Sequence, residues 1–171
     1  PLVAVLLTHH HADHVDLADT LASKLGIPVY MNQVEIDTYG FSCTGLTGIN
    51  DDQLNIAGMD IAVIKTPGHT AGAVSYLVEG NLYSGDTLFI EGCGECVSAG
   101  ADAGQLYDSL QLLLEKVPPK ARVYPGHRFK RVPGMSMSYV SKNNIFLQTR
   151  DRAAFIEYRE RPITANGQKY L

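Results

Sequence analysis

Four short segments carry the side chains best able to do chemistry: Thr8-His9-His10-His11-Ala12-Asp13-His14, Pro67-Gly68-His69-Thr70, Ser84-Gly85-Asp86-Thr87 and Pro125-Gly126-His127. Imidazole and carboxylate groups are ligands of zinc and related divalent cations, and the small residues beside them admit close approach. The candidate ligands are His9, His11, Asp13, His14, His69, Asp86 and His127, whereas His10 is expected to point away. His9 and His11, two apart in an extended segment, can face one way, while Asp13 and His14 turn into the following helix and face a second point nearby. One loop would then serve two metals. A solvated His-rich loop or a tag remnant is the plain alternative, but it would require four such motifs to arise independently.

The elements that must position these groups are legible as strands ending at the motifs. Leu2-Val3-Ala4-Val5-Leu6-Leu7 is an apolar run of strand length, of the kind covered on both faces, and it delivers Thr8 and His9 at its end. Such a strand needs pairing and covering elements before it, so the chain is expected to be a fragment lacking its N-terminal strands. From Asp16 to Leu25 the leucines at 17, 21 and 25, with Ala18 and Ala22, predict a helix ended by Gly26, and residues 27–31 predict a strand, which makes a β-α-β unit. An irregular stretch spans Gly40 to Asn50. Strands are predicted at Gln53 to Ile56, Asp60 to Thr66, Ala73 to Val78 and Asn81 to Ser84, as an antiparallel meander. Asp102 with Gln105 resembles a capping box, and Leu106, Leu110, Leu113, Leu114 and Val117 recur at helical spacing until Pro118-Pro119. A last short strand, Arg122 to Tyr124, leads into His127, and residues 138–148 and 150–159 read as two amphipathic helices.

Length and composition suit one compact domain: 171 residues, 45% hydrophobic and 19% charged. No apolar run is long enough to span a bilayer and no signal-peptide pattern is present, so a soluble, cytoplasmic protein with neither membrane nor nucleic-acid partners is expected. Three cysteines, Cys43, Cys93 and Cys96, make a disulfide framework implausible. Cys93 and Cys96 have redox-motif spacing, but they sit in a Gly-rich loop, where a tight turn with a small buried thiol is the simpler reading. The net charge of −4 is uneven: residues 1–127 carry 5 Lys and Arg against 15 Asp and Glu, and residues 128–171 carry 9 against 3. An acidic front half suits cation binding, and a basic tail is either a solvated helix face or a surface for an anionic partner.

The order His-X-His-X-Asp-His, a distant His, an Asp and a final His resembles the metallo-β-lactamase superfamily over residues 2 to about 128. The resemblance implies an α/β protein with an αββα sandwich and a site at one sheet edge. Metal one would take His9, His11, His69 and Asp86, and metal two Asp13, His14, His127 and the bridging Asp86. The metals would be two divalent ions, zinc first, with iron or manganese as alternatives. It further implies a catalytic domain over residues 1–130 with a helical extension packed on it over 131–171.

Gly85-Asp86-Thr87-Leu88-Phe89, then Gly92-Cys93-Gly94 and Tyr124-Pro125-Gly126-His127, are most similar to the glyoxalase II branch, which hydrolyses thioesters. Two metals about 3.5 to 4 Å apart can lower the pKa of a shared water toward ~7, hold the hydroxide and polarise the carbonyl it attacks, with Asp13 and Asp86 orienting it. That branch carries a Lys and an aromatic residue for glutathione where this chain has Glu95 and Val97, and Glu95 would repel glutathione's carboxylates. The 89–96 stretch and residues 128–148 are also similar to stand-alone zinc hydrolases of polyketide clusters. These imply a small acyl thioester on CoA or an acyl carrier protein as substrate, the carrier docking on the basic C-terminal region. Persulfide dioxygenases share the fold with one iron on the equivalents of His9, His69 and Asp86, and are the main alternative. A β-lactamase, a nuclease and a non-catalytic metal-binding module are weaker ones.

Overall fold

The apolar run at the front narrows, in the computed structural model, to a short strand β1 (Val5–Leu6). Residues 1–161 are described. Leu2 and Val3 are exposed and only Leu7 is buried, so burial rises along the run toward the histidines. The chain turns at α1 (Ala12–Val15), a short helix within the His-rich motif, and then enters α2 (Ala18–Leu25), the helix predicted over Asp16 to Leu25. α2 ends at Gly26, whose φ of 63° is the left-handed cap a side chain resists. Its buried residues are Ala18 and Ala22, while Leu17 and Leu25 are exposed. Small side chains let the helix lie close on the sheet, and the leucine spacing marks the flank of the buried face.

β2 (Val29–Asn32) runs parallel to β1. Asn32 then caps α3 (Gln33–Tyr39), accepting from the Val34 N–H, and β3 (Leu46–Ile49) lies parallel to β2 inside the stretch that reads as irregular. The first sheet therefore has the order β1-β2-β3. The second is the predicted meander, β4 (Gln53–Ile56), β5 (Met59–Lys65), β6 (Val74–Val78) and β7 (Asn81–Gly85). α4 (Ala103–Lys116) then crosses over to β8 (Arg122–Pro125), parallel to β7, and a two-residue strand β9 (Met135–Ser136) closes the edge. Asp102 does cap α4, accepting from the Gln105 N–H. Among its described residues the tail holds three helices, α5 (Met137–Asn143), α6 (Ile145–Gln148) and α7 (Arg152–Glu160). Asn144 divides the first two: its side chain caps Phe146 N and donates to the carbonyls of Phe89 and Gly92.

Three apolar clusters stack these elements into four layers. Ala18, Ala22, Val29 and Met31 join α2 to the first sheet. Ile49, Ile61, Val63, Val74 and Tyr76, with Leu6 and Tyr30, fill the space between the sheets. Leu82, Leu106, Leu110, Val123, Val140, Leu147 and Phe155 bind the second sheet to α4 and the tail helices. This is an αββα sandwich. Strand alternation makes it possible: along β5, Ile61 and Val63 face the first sheet while Ile64 faces α4. The tail thus shares one core with the second sheet, and residues 162–171 of the expected extension lie outside the described residues. Among the described residues no helix is long and apolar enough to cross a membrane.

Candidate metal centre

The four motifs meet because β1, β5, β7 and β8 all end at the same edge of the sandwich. Two bonds tie the sheets there: Val74 N donates to Thr8 O at 3.0 Å, and the Tyr76 hydroxyl donates to Leu7 O at 2.8 Å. His11 leads into α1, which carries Asp13 and His14, the β5–β6 loop carries His69, and Asp86 and His127 follow β7 and β8.

All seven expected residues converge. His9, His11 and His69 form one group of donor atoms, His9, His14 and Asp86 a second, and Asp13, His14 and His127 a third, each within 4.8 Å. His69 Nε2 lies 3.0 Å from His11 Nδ1, and His14 Nε2 lies 3.1 Å from His127 Nε2. Asp86 sits between the groups: Oδ1 is 3.4 Å from His14 Nε2, while Oδ2 is 3.3 Å from His127 Nε2 and 3.8 Å from His69 Nε2. Asp13 Oδ2 is 3.2 Å from His127 Nε2. His10 turns away, as expected, and pairs with Glu35.

These donors fit divalent cations. Four imidazole nitrogens face one another in pairs, and among the described residues His9 Nε2 and Asp86 Oδ1 are buried with no hydrogen-bond partner. A buried polar atom without a partner costs about 1–3 kcal/mol, a cost a bound cation removes. Protonation states agree: burial, then the charges of His14, His69, His11 and His10, push the His9 pKa down to about 2, and burial followed by His69 lowers that of His11. Both are therefore neutral, as ligation requires. His14 is shifted the other way, first by the Asp86 carboxylate beside it, with burial opposing.

The surroundings fix the rings. His69 Nδ1 lies 2.6 Å from the Glu95 carbonyl, and His9 Nδ1 lies 3.1 Å from Thr8 Oγ1. Such outer contacts set the tautomer and orientation of a ligating histidine. Gly94 packs so tightly that a Cβ there would lie 2.1 Å from Asp86 O and 2.8 Å from His69 Nδ1. The centre is graded in depth: His9 is 1% exposed and Asp86 8%, whereas the side chains of His127 and Asp13 are 41% and 62% exposed.

Beside the exposed end lies a groove of about 500 Å³ lined by Phe89, Cys93, Glu95, Phe129, Lys130 and Arg159. The Phe89 ring stands 6.2 Å from that of His127. Glu95 thus lines the groove and Val97 is exposed. Of the three cysteines Cys93 is buried, and Cys43 and Cys96 are half-buried. Sequence reasoning passed over Glu35, Tyr39 and Arg159, none of which lies in a recognisable motif.

Comparison with known proteins agrees with this geometry. The profile of the Metallo-beta-lactamase superfamily matches residues 1–41 and 48–127. The chain is 44% identical over 161 residues to the probable polyketide biosynthesis zinc-dependent hydrolase BaeB of Bacillus velezensis, covering 94% of this chain and 72% of that one. It is 40% identical over 130 residues to a hydroxyacylglutathione hydrolase of Halorhodospira halophila, covering 75% of this chain and 48% of the relative. The crystal structure of ETHE1 from Myxococcus xanthus superposes with a TM-score of 0.81 at 31% identity, covering 93% of this chain and 68% of that one.

Proposed function

Because this chain belongs to the metallo-β-lactamase superfamily, we propose that it is a zinc-dependent hydrolase of acyl thioesters, using two metals and acting in the cytoplasm. The observation that carries the reading is the convergence of seven donors in groups that share His9, His14 and Asp86, with His9 Nε2 and Asp86 Oδ1 buried and unpartnered. His9, His11, His69 and Asp86 would hold one ion, and Asp13, His14, His127 and Asp86 the other. Bound there, two divalent ions would lower the pKa of a water toward neutrality and polarise the acyl carbonyl.

The chain's own groups do the rest. Asp86 and Asp13 would orient that water by accepting its hydrogen bonds. The exposed Asp13 carboxylate has a path to bulk solvent for the proton the water gives up. Water's oxygen bonds to the acyl carbon, the C–S bond breaks, and the sulfur, leaving as thiolate and taking a proton from solvent, departs along the groove lined by Phe89 and Phe129. Glu91 and Glu95 beside that groove would repel the carboxylates that glutathione carries close to its thiol, whereas CoA and acyl carrier proteins present the thiol on an uncharged pantetheine arm. Arg128, Lys130 and Arg131, all exposed near its mouth, would meet the acidic surface of a carrier protein.

The test is a panel of acyl-glutathione, acyl-CoA and acyl-carrier thioesters offered to the full chain before and after chelation, with metals counted on the same sample. Chelator-sensitive turnover of CoA or carrier thioesters with about two metals per chain is expected. Reversing charge at Arg128, Lys130 and Arg131 should slow the carrier substrate and spare the CoA one. Silence on every thioester, with one iron and oxygen uptake, overturns the reading in favour of a mononuclear dioxygenase. The deep burial of His9, His69 and Asp86 relative to the other carboxylate, Asp13, is the feature that favours that second reading.

A further inference from the structure

Glu35 is a carboxylate with no solvent exposure, on α3, outside the seven donors. Burying an isolated carboxylate is expensive, so its partners reveal what the fold uses it for. Oε1 accepts from His10 N at 2.9 Å and lies 2.6 Å from His10 Nδ1. Oε2 accepts from Thr70 Oγ1 at 2.9 Å and from Gly72 N at 2.8 Å. His10 stands between His9 and His11 in the chain, and Thr70 follows His69. Each oxygen therefore grips a residue directly bonded to metal-site histidines, one oxygen per loop.

We propose that Glu35 is a positioning residue of the metal centre, setting the separation of the His9–His11 loop from the His69 loop through His10 and Thr70. This rests on the metal-site reading above. Tyr39, one helical turn along α3, grips the same two loops: its ring stacks on His10 at 3.6 Å, its hydroxyl accepts from Ala71 N at 3.0 Å and it donates to Ala99 O at 2.8 Å. The helix abuts the second loop without slack, since a Cβ on Gly72 would lie 2.2 Å from Glu35 N. The gap being controlled is small, with His11 Nδ1 and His69 Nε2 only 3.0 Å apart. A shift of either loop by a fraction of an ångström changes the opening those two nitrogens offer a cation.

The experiment titrates zinc into the metal-free full chain against a chelating dye, records the visible spectrum of the cobalt-loaded chain, and melts the metal-free chain. The parent is measured first; a parent that takes up no metal overturns the metal-site reading and this inference with it. Glu35→Gln keeps the shape but loses an acceptor, and it should weaken zinc binding about 10- to 100-fold and alter the cobalt spectrum. Thr70→Val and His10→Phe, which each remove one bond while the latter keeps the stack on Tyr39, should show smaller shifts of the same kind. Leu110→Ala, on the buried face of α4, should lower the melting temperature and leave zinc affinity and the cobalt spectrum as in the parent. The inference is overturned if Glu35→Gln binds zinc as tightly as the parent with an unchanged cobalt spectrum. Should Glu35→Gln not fold, unchanged zinc binding in both Thr70→Val and His10→Phe overturns it equally.

Discussion

Arg159 on α7 donates through Nη2 to the carbonyl of Gly94 at 2.6 Å, and the next carbonyl in the chain, that of Glu95, lies 2.6 Å from His69 Nδ1. The last described helix is thereby linked to a candidate metal ligand through two consecutive carbonyls. The guanidinium is buried and also lies 5.4 Å over the Phe146 ring. Removing a buried charged donor costs about 1.5–3 kcal/mol, so Arg159→Met should lower the unfolding free energy by that amount in a denaturant titration. It should also weaken metal uptake, because the Gly94–Glu95 turn loses its anchor. Arg159→Lys should fall between, since an ammonium lacks the planar fork.

Gly126 has no room for a side chain: a Cβ would lie 2.4 Å from Asp86 Oδ1 and 2.5 Å from His14 Cε1. Gly126→Ala should therefore displace the shared Asp86 and the second ion's His14 while leaving His9, His11 and His69 in place. Metal counted by elemental analysis is expected to fall from about two ions per chain toward one, with the fold retained by circular dichroism.

Acid should destabilise the metal-free chain through His9 and His11. Their folded pKa values lie below the ordinary histidine value, for His9 at about 2, so below pH 6.5 the unfolded chain binds protons that the folded one refuses. Stability then falls as pH drops, by about 1.4 kcal/mol per pH unit for His9 well below its unfolded pKa, with His11 acting in the same direction. His14 acts oppositely: its raised pKa gives stability that is present below 6.5 and lost as pH rises through the folded value. Denaturant unfolding between pH 4 and 8 should show the acid limb dominating, and a His9→Asn chain should lose most of that slope.

Zinc should stabilise the fold by mass action. At one hundred times its dissociation constant a ligand of the folded state adds about 2.7 kcal/mol, so the melting temperature of the chelated protein should climb with added zinc and return on chelation. A melting temperature indifferent to zinc would argue that the donors hold no ion.

Much of the candidate site is legible in the sequence because its residues sit in contiguous motifs at strand ends: Asp13 and His14 follow His9 and His11 after the single residue Ala12, and His69, Asp86 and His127 each stand beside a glycine. The second sheet is legible for a similar reason, since β5 is an apolar run that puts Ile61 and Val63 on one face and Ile64 on the other, and two-residue turns join β4 to β5 and β6 to β7. α3 is not. Val34 on it is half exposed and its buried residue is the charged Glu35, so no apolar period announces a helix. β3 is hidden too, having four residues with Gly48 among them, and it is a strand because β2 offers a parallel edge.

The sequence by itself determined which side chains were available and which local backbone would carry them, because donor chemistry, hydrophobic period and capping act over a few neighbouring residues. Only the tertiary structure decided which atoms face which. His11 and His69 are 58 residues apart, His14 and His127 are 113 apart, and each pair comes within about 3 Å only because two sheets are registered against each other by bonds such as Val74 N to Thr8 O. The same packing turned Glu35, a polar residue with no motif around it, into the buried acceptor that spans two loops. That choice depends on the space left between layers once the core has closed, and no local pattern encodes it.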